Sequence, residues 1–118
     1  MDDTRPIFQQ IAEQIESDII SGVLPEETQV PSTNEFAAFH RINPATAGKG
    51  VNLLVDAGIL YKKRGIGMFV AEGARARLVA ERRDQFREQY IRPLLTEADK
   101  LGISVQQLTA MIEKGDAR

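Results

Sequence analysis

Residues 30–70 read VPSTNEFAAFHRINPATAGKGVNLLVDAGILYKKRGIGMFV, and this stretch decides the fold. Ser32 with Glu35 three residues on is a capping box, in which side chains and backbone satisfy each other at a helix start. It predicts a short helix over 33–40 with Phe36 and Ala37 inward, Phe39 as a further inward candidate and His40 near the end. After the turn Arg41-Ile42-Asn43, Asn43 caps a second helix and Pro44 supplies its first residue. Over 44–57 that helix buries Ala47, Val51, Leu54 and Val55, and turns Ala45, Thr46, Lys49 and Asn52 to another face. Gly48 and Gly50 each cost about 1 kcal/mol inside a helix, and close approach of another backbone is one reason to keep them. Gly58 ends the helix. Residues 59–71 form a hairpin in which two short strands flank Lys62-Lys63-Arg64 and Gly65-Ile66-Gly67. Short helix, tight turn, second helix and basic glycine-tipped hairpin make a winged helix-turn-helix, the layout of a major-groove reader.

Working outward, Ile7, Ile11, Ile15 and Ile19 step by four through a predicted helix over 6–21. Pro6 sits in its first turn, Gly22 follows as its stop, and the stripe reads as core. Residues 23–31, with Pro25 and Pro31, form a connector holding a short strand near Gln29-Val30. Beyond the hairpin, residues 74–101 are helical, with Val79, Phe86, Tyr90, Leu94, Ala98 and Leu101 spaced by three, four and seven. Pro93 kinks or restarts that helix. Ser104 with Gln107 caps a last helix over 104–114, with Val105, Leu108 and Ile112 inward. The expected class is mainly α with a small β-hairpin: a DNA-binding domain over 1–71 and a helical dimerisation region over 72–118. The apolar series Val79, Phe86, Tyr90, Leu94 and Ala98 is the expected subunit interface, with packing against the chain's own winged domain as the alternative.

Composition narrows the chemistry. The 118 residues suit one domain, or one small domain with an appendage. Absence of cysteine excludes disulfides and thiolate sites, and a single histidine leaves no histidine zinc cluster. No paired acids with a histidine relay suggest an enzyme, and no cofactor is expected. Asp2 and Asp3 with no long apolar run behind them read against a signal peptide, and no run is long enough to span a membrane, so the expected location is the cytoplasm. The formal charge of -2 hides a division. Residues 1–27 set seven acids against the single base Arg5, whereas residues 28–71 carry five bases and two acids. The middle segment is therefore locally basic.

These residues resemble the GntR family of bacterial transcription regulators, and within it the small YtrA-like subfamily. The resemblance runs through Pro6-Ile7-Phe8, Ile19-Ile20-Ser21-Gly22, Val30-Pro31-Ser32, Glu35-Phe36-Ala37, Ile42-Asn43-Pro44 with Thr46, Gly58-Ile59-Leu60 and Arg64 to Val70. A shorter likeness to the subfamily's tail covers residues 94–108. It implies DNA-binding repressors that work as dimers through two C-terminal helices, with a small-molecule effector of unknown identity as a further candidate partner. The chain departs from the pattern at Asn34, where arginine is usual, at Ala45 for asparagine, at Gly50 for alanine and at Glu26 for glycine.

Within that reading, the first N–H groups of helix 44–57 face phosphate, and Asn43 and Thr46 donate to phosphate or base edges. Lys49 reaches guanine or phosphate, and Asn52 lies further along. Ser32 and Asn34 open the preceding helix, and Arg41 neutralises backbone. Arg64 enters the minor groove, with Gly65 and Gly67 permitting close approach. The rival is a winged module that binds protein and has lost specific DNA binding, which Asn34, Ala45 and the net charge favour.

Overall fold

The computed structural model describes residues 4–115; Asp2 and Asp3 lie outside the described residues. The elements are α1 (Ile7–Ser21), α2 (Thr33–His40), α3 (Pro44–Asp56), β1 (Leu60–Lys63), β2 (Gly67–Val70), α4 (Ala74–Phe86), a π-helical turn (Arg87–Ile91), α5 (Arg92–Lys100) and α6 (Val105–Lys114). The chain divides into two compact units, residues 1–79 and 80–118. That division lies eight residues beyond the expected 71/72 boundary, because Ala74 and Leu78 of α4 belong to the first core.

In the first unit, Ile11, Ile15 and Ile19 of α1 are buried against Val51 and Leu54 of α3, with Ile59, Leu60 and Val70 closing the core. Each such aliphatic chain contributes about 2 kcal/mol when fully buried. Pro6 precedes α1 rather than opening it, and Gly22 ends it at φ 88. Gly50 is buried where α1 and α3 meet: a Cβ there would lie 2.6 Å from the Phe8 carbonyl oxygen. Gly48 has no such neighbour, its added Cβ meeting Thr33 Cγ2 at 3.5 Å. Backbone approach thus accounts for one helical glycine and not the other.

The hairpin pairs Leu60 with Val70 and Lys63 with Gly67. The segment before α2 runs beside it: Glu27 N–H donates to Val70 O at 2.8 Å, Val70 N–H to Thr28 O at 3.0 Å and Val30 N–H to Met68 O at 2.9 Å. The expected strand at Gln29-Val30 is thus a single bridge, from Gln29 to Phe69. Two acids beside it do structural work that the sequence did not suggest. The Glu26 carboxylate accepts from Gly73 N–H at 3.0 Å and Arg75 N–H at 3.2 Å, capping α4 from 47 residues away. Glu27, not Glu26, is the left-handed residue at φ 65, so the position that favours glycine lies one residue further on. Glu27 Oε2 accepts from the Tyr61 hydroxyl at 2.6 Å, and this bond to a carboxylate raises the Tyr61 pKa.

In the second unit Arg92 N–H bonds to Arg87 O, an i→i+5 bond that makes the π-helical turn just ahead of Pro93. Ala98 and Leu108 are buried. Four expectations of inward packing are corrected. Phe39 is 82% exposed, on the side of α2 away from Phe36 and Ala37. Val105 and Ile112 are 70% and 62% exposed, since Leu108 is the buried residue of α6. Ile7, expected in the core stripe of α1, is 40% exposed at the start of the helix.

Candidate nucleic-acid interface

Helix α3 is built to offer one end and one face. Asn43 Oδ1 accepts from Ala45 N–H at 2.7 Å, so Asn43 caps the helix and keeps its amide NH₂ as a donor. Opposite the buried Ala47, Gly50, Val51 and Leu54 lie the exposed Ala45, Lys49 and Asn52, with Thr46 and Gly48 half-buried at the margins. Asp56 is exposed on the same face at the far end, so the helix is least negative at its N-terminus. Lys49 does not point straight outward: its Nζ sits 4.1 Å from the centroid of the Phe8 ring on α1. At an exposed site such a contact is worth about 0.5–1 kcal/mol, so a phosphate competes with it directly.

The start of α2 carries the expected capping box. Ser32 Oγ accepts from Glu35 N–H at 3.1 Å, and Ser32 N–H donates to Glu35 Oε1 at 2.9 Å. Hydrogen bonds to its carboxylate from the Ser32 backbone N–H, and secondarily from the Ser32 hydroxyl, hold the Glu35 carboxyl below its usual range. Asn34 is exposed in the first turn of α2. At the other end Arg41 takes a left-handed φ of 56, and Ile42 N–H reaches back to Ala37 O at 3.0 Å. Holding a non-glycine residue there costs about 1 kcal/mol.

At the wing tip, Ile66 N–H donates to Lys63 O at 2.9 Å, closing a four-residue turn whose third residue, Gly65, has φ 77. Gly65 has open space around its missing Cβ, so conformation and not crowding selects glycine. Lys63 Nζ lies 4.5 Å from the Phe69 ring centroid. Among the described residues, Arg41, Lys62 and Arg64 make no ion pair or side-chain hydrogen bond, and all three are exposed. Lys62 and Gln29 belong to this surface and are not among the DNA-facing residues expected from sequence. Lys62 was legible in the basic run, whereas Gln29 acts on a residue 37 positions away.

All ten expected DNA-facing residues therefore lie in the first unit, on α2, α3, the turn between them and the hairpin. Of the expected interface residues, Phe86, Tyr90 and Leu94 are exposed, the two rings 5.5 Å apart, but Ala98 is buried within the single chain and Val79 is partly so. Among the described residues no helix is long and apolar enough to cross a membrane, and no cluster of acidic or histidine side chains could hold a metal.

A helix-turn-helix with a capped second helix and a cationic wing defines a winged helix-turn-helix module of the kind used by transcription regulators. The family described as bacterial regulatory proteins, gntR family, matches residues 7–70, and the chain belongs to it. The chain is 28% identical over 109 residues to the HTH-type transcriptional repressor YtrA of Bacillus subtilis, covering 92% of this chain and 83% of that one. A GntR family transcriptional regulator from Listeria monocytogenes superposes with a TM-score of 0.75 at 26% identity, over 98% of this chain and all of that one. AraR(DBD), solved in complex with operator ORX1, matches 60% of this chain and 87% of its own at 30% identity and a TM-score of 0.55. The chain is a transcription regulator and not an enzyme.

Proposed function

We propose that this regulator is a cytoplasmic repressor that acts as a homodimer on a duplex operator of two-fold symmetry. The observation that carries the DNA part is the set of unpaired, exposed cations, Arg41 in the turn before the capped α3 and Lys62 and Arg64 on the hairpin, in a family of regulators. The α3 N-terminus enters the major groove with Asn43, Thr46 and Asn52 at base edges and phosphates. Lys49 exchanges Phe8 for a phosphate or a guanine edge. Ser32 and Asn34 contact backbone at the start of α2, Arg64 enters the minor groove, and Gly65 and Gly67 shape the turn that carries it.

Dimerisation is supported by apolar surface that the single chain leaves open. Phe86, Tyr90, Leu94, Leu101, Val105 and Ile112 are all at least 39% exposed. Leaving such a surface in water favours association, and a two-fold pair covers both copies of it at once. The interface therefore takes in α6, with Ala98 as support behind it and not as a contact.

The test is selection of duplexes from a random library at stated salt. Enriched sequences should show inverted symmetry. Arg41, Lys49, Lys62 and Arg64 in two protomers set a limiting salt slope of about -7, or roughly 10⁴-fold between 50 and 200 mM. Enrichment of no duplex over scrambled sequence refutes the reading and leaves a winged module that binds protein, for which exposed Phe39 is the place to probe.

A further inference from the structure

The tip of the wing is anchored by almost no burial. Lys62, Lys63, Arg64, Gly65 and Ile66 are all exposed, Ile66 to 63%. Apart from the turn's own bond from Ile66 to Lys63, the contact that fixes its shape comes from outside the hairpin. Gln29 Nε2 donates to the Ile66 carbonyl at 3.0 Å. The same amide fills the space over Gly67, where a Cβ would lie 2.5 Å from Nε2 on a backbone at φ 144. The Gln29 backbone is itself held by its bridge to Phe69. One side chain therefore locks both the carbonyl and the glycine that follow Arg64.

Gln29 also lies three residues before Ser32, separated from it by buried Val30 and by Pro31, whose ring fixes the chain direction. The residue that grips the wing tip is thus joined by a short, stiff link to the start of α2. We infer that Gln29 is a positioning residue for DNA recognition: it holds the wing turn so that Arg64 is presented at a fixed offset from the α2 N-terminus. This rests on the DNA reading proposed above. The chemistry selects glutamine. The acceptor is a carbonyl, so the brace must donate; glutamate would repel it, and asparagine is one methylene shorter.

The experiment compares wild type, Gln29→Ala, Gln29→Glu, Arg64→Ala and the Gln29→Ala/Arg64→Ala double variant on the enriched duplex, with melting followed alongside. Arg64→Ala, which removes one cation from each protomer, should weaken binding about tenfold and lower the salt slope by about two. Gln29→Ala should weaken it about threefold to fivefold, with an unchanged melting temperature and an unchanged salt slope, because it removes no cation, whereas Gln29→Glu should weaken it further, since its carboxylate repels both the Ile66 carbonyl and phosphate. In the Arg64→Ala background, Gln29→Ala should have no further effect, since it acts through Arg64. Without DNA, the Ile66 amide should exchange faster in Gln29→Ala. Independent losses that multiply in the double variant, unchanged binding with Gln29→Ala, or unchanged Ile66 exchange would each overturn the brace. If wild type binds no duplex specifically, the DNA reading fails. If Arg64→Ala binds like wild type, DNA binding stands but the wing leaves the interface and the role of Gln29 falls with it.

Discussion

Gly50→Ala and Gly48→Ala make the same chemical change two residues apart in α3, and the structure predicts opposite signs. At Gly48 the added methyl meets Thr33 Cγ2 at 3.5 Å, an ordinary contact. The gain in helix propensity, about 1 kcal/mol, should then appear as added stability. At Gly50 the methyl would stand 2.6 Å from the Phe8 carbonyl oxygen, 3.0 Å from Ile11 Cβ and 3.1 Å from Ile11 Cγ2. A carbon rests roughly 3.3 Å or more from a carbonyl oxygen, so α1 must retreat by roughly 0.7 Å. Overfilling a packed core costs about 1–3 kcal/mol. Subtracting the propensity gain leaves Gly50→Ala destabilised by about 1 kcal/mol, and the pair separated by about 2 kcal/mol. For a chain of this size that is about 8 °C in melting temperature. Thermal unfolding followed by circular dichroism, at one protein concentration so that association is held constant, reads it directly. If the two variants melt together, both above wild type, α1 does not press on α3 at Gly50 and the reasoning is wrong. Related proteins with alanine at this position would then need no wider spacing between the two helices.

Ser32→Ala removes a cap and should cost about 1 kcal/mol of stability in urea unfolding, with the loss traced to α2 by hydrogen exchange. Glu35 is lowered in the folded state by its bonds from Ser32, so its contribution is full above the usual value of about 4.5 and is lost as pH falls through the lower folded value. The gap in melting temperature between wild type and Glu35→Gln should accordingly be widest near neutrality and close in acid. Arg41→Gly relieves a left-handed residue and should stabilise the fold by about 1 kcal/mol while weakening DNA binding and its salt slope; a variant that binds as tightly as wild type takes Arg41 out of the interface. Phe86→Glu and Leu94→Glu should sediment as 13.1 kDa monomers that keep their helical content and bind the operator about 100-fold more weakly. A wild-type chain that is itself monomeric at low micromolar concentration refutes the dimer.

What the sequence made legible follows from the range of the forces involved. The boxes at Ser32–Glu35 and Ser104–Gln107 and the Asn43-Pro44 start act within four residues, so they can be read from spacing and appear as read. Ile11, Ile15 and Ile19 of α1 are legible because they repeat at the helical period and face one core, whereas Ile7 continues the period past the core's edge. Periodicity identifies an apolar face but not what covers it, which is why Val105 and Ile112 were expected inward and are not. Phe39 failed for a related reason: in an eight-residue helix the buried arc is narrow, and Phe36 with Ala37 already fills it. Among the site residues, Arg41, Asn43 and Arg64 lie where local turn chemistry puts them. Lys49 over Phe8, Glu26 capping α4 and Gln29 gripping Ile66 join residues 37 to 49 positions apart, and no local pattern records such pairs.

The widened turn at Arg87–Ile91 changes how the apolar residues around it must be counted. In an unbroken α-helix, eight residues from Phe86 to Leu94 advance about 800°, which leaves the two roughly 80° out of line. An i→i+5 closure admits one more residue to the turn and takes back about 100° of that rotation. Phe86 and Leu94 then fall within about 20° of one meridian, with Tyr90 between them. The bulge acts as a phase corrector, letting a series that is irregular in the sequence emerge as one line on the surface. If the turn closed as plain α-helix at unchanged length, every side chain of the series would remain and the helix would stay intact, yet Phe86 and Leu94 would stand about 80° apart and the line would split in two.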